Sequence, residues 1–218
     1  MTTVLAINGS PRTSWNTATM LQKALDGAKA QGAETELIHL YQLDYKGCIS
    51  CFACKRKGNG LGRCAVKDDL YPLIDKIIAS DAVIFGSPIY FGNITGQMLC
   101  LLERLFFAPL SYNKDRTPSF PSKLSTAFIY TMNVPEQQLA KIGYLQLFEQ
   151  TKGRLERFLG GPSEVLTACD TYQFDDYSKF EASGIDAEHK QKMREEQFPI
   201  DCQKAYDLGA RLAASTNS

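Results

Sequence analysis

Short apolar runs alternate with longer helical patterns along the chain, and this alternation constrains the fold more than any other feature. The apolar runs have the length of β-strands and cover residues 3–8, 34–40, 82–85, 124–130 and 164–168. Apolar residues recur at helical spacing over residues 16–31, 70–78, 95–107, 136–159 and 186–214, with a break of the last helix expected at Pro199. The alternation predicts an α/β protein whose parallel sheet has helices on both faces.

Five predicted strands favour the doubly wound order 2-1-3-4-5, in which ligands bind beyond the carboxyl ends of the strands. No repeat or low-complexity linker interrupts the pattern. We therefore predict one domain over residues 1–218, with a cysteine-containing insertion around residues 47–67 and a helical extension from about residue 175.

The charge balance and the absence of long apolar runs exclude several classes of protein. The chain has 24 Lys and Arg against 24 Asp and Glu, so it lacks the basic character of a nucleic-acid-binding protein. Aromatic residues make up 11 % of the chain, which argues against a disordered protein. No run approaches the roughly 18 apolar residues that span a bilayer, and the first residues do not resemble a signal peptide. We expect a cytoplasmic protein that does not enter the membrane.

A polar loop, residues 9–17, lies between the first predicted strand and the first predicted helix; we call it the first loop. Hydroxyls, amides and backbone N–H groups at the start of a helix can bind a phosphate group, helped by the helix dipole. The loop matches neither the P-loop nor the Gly-x-Gly-x-x-Gly pattern, and a plain capped turn is the alternative. The candidate phosphate-binding residues are Ser10, Arg12, Ser14, Asn16 and Thr17.

A glycine- and aromatic-rich loop, residues 86–93, follows the third predicted strand, which we expect to end at Gly86-Ser87-Pro88; this is the second loop. It could present backbone groups and a ring face to a planar heterocycle, or its aromatic rings could simply cover the core. The candidate ring-binding residues are Pro88, Ile89, Tyr90, Phe91, Gly92 and Asn93. A third loop, residues 131–135, follows the fourth strand and offers Thr131 and Asn133.

In a 2-1-3-4-5 sheet these loops share one crevice, so a phosphate site and a planar-ring site lie together. A mononucleotide with a flat ring, FMN, is the ligand that this combination predicts. We expect FMN to bind tightly and without a covalent bond, with the third loop on the pyrimidine side of the flavin.

Four of the seven cysteines are crowded in the pattern Cys48-x2-Cys51-x2-Cys54-x9-Cys64. Three cysteines at this spacing reproduce the first part of the bacterial ferredoxin motif, and a remote fourth cysteine can complete a [4Fe–4S] site. A structural zinc site, which usually pairs its cysteines in two separate knuckles, is one alternative. Reduced free thiols and a disulfide are the others. The remaining cysteines, Cys100, Cys169 and Cys202, are expected to be buried small hydrophobic residues, and His39 and His189 to be structural or solvated.

These motifs together make a family resemblance recognisable. The sequences NGSPR and NTA in the first loop, the compact cysteine motif, CAVKDDL after it, and GSPIYFGNITGQM around the second loop resemble iron–sulfur flavoproteins within the NADPH-dependent FMN reductase family. The tail sequence DDYSKFEAS is also similar to this group. Nine residues separate Cys54 and Cys64, a longer gap than is usual in the family. The resemblance implies a flavodoxin-like fold, FMN at a subunit interface, and dimers that pair into tetramers with a cluster near a neighbouring subunit's flavin.

Three functions remain open from the sequence. One is a flavoprotein that passes electrons between a [4Fe–4S] cluster and FMN, with ferredoxin or NAD(P)H as donor and a quinone, an oxygen species or a flavin as acceptor. Another is a cluster-free NAD(P)H-dependent FMN or quinone reductase, although no NADPH 2′-phosphate site is identifiable. The third is a metal-binding regulatory module. The apolar stretch at residues 99–110 exceeds what one helix buries on one sheet face, so a homodimer or homotetramer is expected.

Overall fold

The computed structural model describes residues 1–58, 60–120 and 123–215. The strands are β1 (Thr3–Asn8), β2 (Glu34–His39), β3 (Ala82–Tyr90), β4 (Asn93–Ile94), β5 (Leu124–Thr131) and β6 (Gly160–Ala168). The α-helices are α1 (Asn16–Ala30), α2 (Leu70–Ala79), α3 (Gly96–Phe107), α4 (Tyr144–Leu159), α5 (Ala187–Lys192) and α6 (Phe198–Ser215). Short 3₁₀ turns occupy Leu40–Gln42, Ala53–Lys55, Glu136–Gln138 and Tyr177–Lys179.

The sheet has the order β2-β1-β3-β5-β6, and every neighbouring pair in this path is parallel. The small strand β4 lies off the path and pairs antiparallel with the end of β3. Without β4, the five parallel strands have the predicted doubly wound order, so this prediction is confirmed. β4 is an addition that the sequence patterns do not signal.

Side chains of each strand alternate between two hydrophobic cores, because successive residues of a strand point to opposite faces. In β1, Leu5 and Ile7 join a core with α2, α3 and α4. Val4 and Ala6 join the other core with α1 and α6. The helices therefore cover both faces of the sheet, as predicted.

Two glycines allow α1 and α6 to approach each other closely. A Cβ atom at Gly27 of α1 would lie 1.9 Å from the carbonyl oxygen of Tyr206, and one at Gly209 of α6 would lie 1.7 Å from that of Ala24. Any larger side chain would collide with backbone atoms at both positions. The two glycines thus fix the contact between the first helix and the last.

Two of the predicted boundaries are wrong. Strand β3 does not end at Gly86-Ser87-Pro88 but continues to Tyr90, and Pro88 is in register with Thr131 of β5. The residue before a proline favours an extended backbone, so Ser87 prolongs the strand. The predicted helix over residues 136–159 begins only at Tyr144, because Gly143 adopts a left-handed conformation with φ of 81°.

The predicted helix over residues 186–214 consists of three helical parts. Between α5 and α6 the chain makes a π-helical turn at Met193–Gln197. Pro199 lies in the first turn of α6, where it has no N–H group to donate to the preceding turn. The proline therefore removes one backbone hydrogen bond at the junction between the π-helical turn and α6. None of the helices in the described ranges is both long enough and apolar enough to cross a bilayer.

Candidate functional site

The three predicted loops meet at the edge of the sheet where the parallel strands end. The N–H group of Gly9 donates to the carbonyl oxygen of Gly86 at 2.7 Å, which joins the first loop to the second. The Thr95 hydroxyl strengthens this junction by donating to the Gly9 carbonyl oxygen, also at 2.7 Å. The hydroxyls of Thr17 and Thr131 lie 2.7 Å apart and join the first loop to the third.

The start of α1 faces the first loop without a side-chain cap. Trp15 occupies the N-cap position and contributes no side-chain hydrogen bond to the first turn. The first N–H groups of a helix have no partner within the helix and carry a partial positive charge. An anion at this position would therefore satisfy several of them at once.

Ser10 is buried at the base of the first loop and is held by its neighbours. Its N–H group donates to Oδ1 of Asn8 at 3.0 Å, and its hydroxyl oxygen accepts from the N–H group of Arg12 at 3.1 Å. Nδ2 of Asn8 lies 2.9 Å from Nδ1 of His39 in the neighbouring strand. Burial lowers the pKa of His39, which favours a neutral ring at this contact. Ser14, the remaining hydroxyl candidate in this loop, is exposed.

Two candidates in the first loop are engaged by the C-terminal third of the chain. Nδ2 of Asn16 donates to the Tyr172 carbonyl oxygen at 2.9 Å, and Oδ1 of Asn16 accepts from Nη1 of Arg194 at 3.1 Å. The Arg12 guanidinium donates to the Gln173 carbonyl oxygen at 2.6 Å. These two side chains thus order the loop through protein groups, and the motifs did not reveal Tyr172 or Arg194.

The indole ring of Trp15 contacts two guanidinium groups. The Cζ atoms of Arg12 and Arg194 lie 5.2 and 5.9 Å from its ring centroid. Both contacts have the geometry of cation–π interactions. The arrangement adds two positive charges near the start of α1.

The second loop forms a tight β-hairpin between β3 and β4. Tyr90 pairs with Asn93, and the two residues between them, Phe91 and Gly92, have positive φ angles of 49° and 82°. Two successive positive φ angles are typical of a type I′ hairpin turn. The Phe91 ring is fully exposed and the Tyr90 ring is about half exposed, so neither ring covers the core.

An ion pair between Lys190 and Asp170 contacts the third loop, and no sequence motif predicted it. Lys190 Nζ donates to the Asn133 carbonyl oxygen at 3.2 Å and also pairs with the Asp170 carboxylate. The N–H group of Asp170 donates in turn to the Val134 carbonyl oxygen at 2.9 Å. Lys190 and Asp170 are both buried, so the charge pair that hydrogen-bonds to the third loop is desolvated.

His189 also pairs with Asp170. Together with Thr167 and Cys169, it lines a cavity of about 520 Å³. Its Nε2 atom lies 2.5 Å from Oδ2 of Asp170. Burial acts to raise the pKa of Asp170, but the hydrogen bonds from His189 and Lys190 outweigh it and hold the pKa below its usual range. Burial raises the pKa of Cys169 to about 11, so this thiol stays protonated at neutral pH. Of the two roles expected for His189, structural or solvated, the structure shows a structural one, as a partner of Asp170.

A cavity lies between the end of α3 and the described part of the cysteine segment, residues 47–58 and 60–67. All four cysteines of the motif line it, namely Cys48, Cys51, Cys54 and Cys64. Their thiols are free; Cys54 is buried and Cys51 is exposed. Burial raises the pKa of Cys54, and this effect exceeds the opposing influence of Lys55. In residues 1–58, 60–120 and 123–215, no three His, Cys, Asp or Glu side chains lie close enough to hold a metal ion as they stand.

Arg104 of α3 closes the base of the cysteine segment. Its side chain is fully buried, and its Nη1 atom donates to both carboxylate oxygens of Asp68 at 2.6 and 2.8 Å. The same guanidinium donates to the carbonyl oxygens of Lys46 at 3.3 Å and Val66 at 3.0 Å. These two carbonyls lie just before and just after the cysteine motif, so one side chain joins its two ends.

Lys55 attaches the middle of the cysteine segment to the end of α3. Its ammonium group donates to the carbonyl oxygens of Phe107, Ala108 and Leu110, and it lies 4.6 Å from the Phe107 ring centroid. Cations are favoured at the carboxyl end of a helix because of the helix dipole. Lys55 directly follows Cys54, so the position of this thiol is fixed by the contact.

The chain is similar in sequence to curated iron–sulfur flavoproteins. The chain is 41 % identical over 117 residues to an iron–sulfur flavoprotein of Archaeoglobus fulgidus, which covers 54 % of this chain and 55 % of that protein. It is 37 % identical over 101 residues to an iron–sulfur flavoprotein of Methanocaldococcus jannaschii, which covers 46 % of this chain and 50 % of that protein. The chain thus spans about half the length of the curated relatives it matches.

The whole fold is similar to solved structures of low sequence identity. An NAD(P)H:quinone oxidoreductase from Methanothermobacter marburgensis has a TM-score of 0.70 at 14 % identity, over 97 % of this chain and 98 % of that one. This likeness supports the flavodoxin-like fold. A model of the NADPH-dependent FMN reductase family matches residues 2–127, a span that contains the first loop, the cysteine segment and the second loop. The resemblance drawn from the motifs is therefore confirmed, and the chain belongs to the NADPH-dependent FMN reductase family.

Proposed function

We propose that this chain is an FMN-dependent oxidoreductase, and more narrowly an iron–sulfur flavoprotein that passes electrons between a [4Fe–4S] cluster and FMN. The observation that carries the proposal is the meeting of three loops at the carboxyl edge of the sheet, tied by the Gly9–Gly86 and Thr17–Thr131 hydrogen bonds. The family to which the chain belongs supports the same ligand.

In this proposal the FMN phosphate binds at the start of α1. The uncapped N–H groups of the first turn and the hydroxyls of Ser10, Ser14 and Thr17 are its donors, since together they supply directed hydrogen bonds and the positive end of a helix. Arg12 and Asn16 contribute by ordering the loop, because both side chains already bond to residues 172–173. Arg12 and Arg194 add positive charge nearby.

The flavin ring lies against the second loop in this proposal. The exposed rings of Tyr90 and Phe91 offer a flat apolar contact, and the hairpin backbone from Pro88 through Ile89 to Gly92 and Asn93 offers polar groups. Thr131 and Asn133 border the ring on the side of the third loop. Bound FMN supplies the hydride and electron chemistry, while the chain binds and orients it and adjusts its electrostatic surroundings.

Cys48, Cys51, Cys54 and Cys64 are the proposed cluster ligands. The donor set fits, because four free thiols line one cavity that the Arg104 guanidinium also borders. Thiolates are the ligands that iron–sulfur clusters take, and nearby cations offset their charge. The relatives named iron–sulfur flavoproteins support this assignment.

We further propose that the chain works as one domain with the cysteine insertion and the C-terminal helical extension, in the cytoplasm, as a homodimer or homotetramer. Its electron donor is ferredoxin or NAD(P)H, and its acceptor is a quinone, an oxygen species or a flavin. The exposed apolar side chains Leu99, Phe91 and Tyr90 support a subunit contact near the second loop.

A cluster-free NAD(P)H-dependent FMN or quinone reductase is the second candidate. Two observations favour it: the described cysteines are not arranged closely enough to hold a metal as they stand, and the fold is similar to that of a quinone oxidoreductase. In that case the cysteine segment has a structural role only.

Anaerobic reconstitution tests the proposal and separates it from the second candidate. The protein is loaded with FMN, iron and sulfide, and all three are counted per chain in the wild type and in single Cys→Ala variants of the motif. Cys202→Ala, which changes a cysteine on α6, is the matched control. One FMN and about four irons in the wild type and the control, with iron lost in the motif variants, supports the proposal. FMN without iron favours the second candidate, and no FMN overturns both.

A further inference from the structure

We propose that Arg104 is a positioning residue of the cysteine site, which closes the cysteine segment and directs one unused N–H group at its sulfur atoms. The part that concerns a loaded cluster rests on the proposed function. The part that concerns the segment itself does not.

The first observation is how Arg104 is held. It lies in the last turn of α3, a largely apolar helix, and its side chain is fully buried. Asp68 neutralises its charge, and the carbonyl oxygens of Lys46 and Val66 accept from its terminal nitrogens. A buried arginine is tolerated when it is paired and hydrogen-bonded. The guanidinium is therefore fixed in one orientation by bonds to both ends of the cysteine segment.

The second observation concerns the Nε–H group of Arg104, the donor that these bonds do not use. Nε of Arg104 is buried and has no hydrogen-bond partner among the residues that the structure describes. A buried donor without an acceptor is unfavourable, especially on a charged group. The other buried side-chain atoms without a partner are hydroxyls, and hydroxyl hydrogens can rotate, whereas the Nε–H direction is fixed by the planar guanidinium.

The third observation is what lies beside this donor. Arg104 lines the same cavity as the four motif cysteines. The other side chains that line this cavity are apolar, so the cysteine sulfurs are the side-chain acceptors that face it. A ligand sulfur that carries negative charge is therefore the acceptor that Nε–H lacks.

The chemistry of iron–sulfur sites gives this contact a consequence. Hydrogen bonds to ligand sulfur and nearby positive charge raise the reduction potential of a cluster, because they stabilise its more negative, reduced form. Arg104 supplies such a hydrogen-bond donor from within α3, while Asp68 balances its charge. Its removal should therefore lower the potential of the loaded cluster, besides loosening the ends of the segment.

The test compares wild type with Arg104→Gln and Arg104→Lys. The second variant keeps a positive charge, so it provides a measurement if the first does not fold. Arg63→Gln is the matched control, because it removes an arginine next to Cys64 that is exposed and pairs with Asp75 at the surface. Iron and sulfide are counted after anaerobic reconstitution, and the cluster potential is measured by a redox titration followed by EPR.

We expect both Arg104 variants to shift the reduction equilibrium at least tenfold towards the oxidised cluster, which is about 59 mV for one electron. Arg63→Gln should shift it far less. A loaded Arg104→Lys cluster with the wild-type potential overturns the inference and leaves the proposed function intact. A wild type that takes up no iron overturns the proposed function instead.

Hydrogen exchange of the metal-free proteins tests whether Arg104 closes the cysteine segment, and it does so whether or not the wild type takes up iron. Amides of residues 47–67 should exchange at least tenfold faster in Arg104→Lys than in wild type, and at the wild-type rate in Arg63→Gln. Equal exchange in Arg104→Lys and wild type would show that Arg104 does not close the segment, and this part of the inference would fall.

Discussion

The hydroxyl oxygens of Thr17 and Thr131 lie 2.7 Å apart, although 114 positions separate them in the chain. Both residues are almost fully buried. One hydroxyl donates to the other, so a single hydroxyl hydrogen of the pair remains for another acceptor. This contact joins the start of α1 to the end of β5, where the proposed phosphate and ring sites adjoin.

Thr17→Val should weaken FMN binding about tenfold, since it removes a donor at the proposed phosphate site and leaves the Thr131 hydroxyl without its partner. Quenching of FMN fluorescence on titration with apoprotein measures the affinity. Thr19→Val is the control, because Thr19 is a half-buried threonine of the same helix. Equal affinities for the two variants would contradict a phosphate site at Thr17.

Gly209→Ala should lower the free energy of unfolding by about 2 kcal/mol, because the added methyl group meets the backbone of α1 and forces the helices apart. Gly153→Ala in α4 should have the opposite effect and stabilise by about 1 kcal/mol. A Cβ atom at Gly153 has open space around it, and alanine is the better helix former. Urea unfolding of both variants measures the difference, and a stabilised Gly209→Ala would refute the close helix contact.

Asp170→Asn should lower the free energy of unfolding at pH 7 by about 3 kcal/mol, since it leaves the buried Lys190 ammonium unpaired. The pKa of Asp170 lies below its ordinary value in the folded protein. The carboxylate therefore stabilises the fold above that ordinary value of about 4, and this contribution is lost as the pH falls through the folded-state pKa.

The difference in the free energy of unfolding between Asp170→Asn and wild type should accordingly become smaller at acidic pH. Thermal unfolding at pH 7 and at pH values below about 4 checks this. Asp26→Asn, which removes an exposed partner of Lys23, should leave the unfolding curve almost unchanged at both pH values. A pH-independent difference for Asp170→Asn would mean that the charge of Asp170 is not the source of its effect.

Phe91→Ser should weaken FMN binding about fivefold without lowering stability. The Phe91 ring is fully exposed at the tip of the second loop, so the fold loses no core contact, whereas a flavin ring would lose an aromatic neighbour. Tyr112→Ser removes another exposed aromatic ring and serves as the control. If both variants bind FMN as wild type does, the second loop is not the ring site.

Much of the fold follows from local patterns, because strands and helices have distinct hydrophobic periods. The parallel order then places the ends of β1, β3 and β5 at one edge, so the meeting of the three loops is predictable too. Gly86-Ser87-Pro88 is an exception to these local patterns. Gly and Pro usually interrupt a strand, but here Ser87 and Pro88 are held in register by Thr131 and its neighbours.

What could not be predicted depends on contacts between distant residues. Arg104 follows Glu103 in a largely apolar helix, and nothing near it in sequence shows that Lys46, Val66 and Asp68 surround it. Asp170 and Lys190 likewise both hydrogen-bond to the third loop, although each is far from that loop in sequence. Such groups have no local periodic signature, because tertiary packing alone determines their partners.

The hydrogen bonds that Asn16 makes with Tyr172 and Arg194 also have a consequence for biosynthesis. A ribosome releases the amino terminus first, so β1, the first loop and α1 emerge long before the segments that order them. The nascent chain therefore carries α1 with its Gly27 face bare until α6 has been translated. Ordering of the first loop must follow synthesis of Arg194, so a chain stalled before that codon leaves the loop incomplete and this apolar helix face open to chaperones.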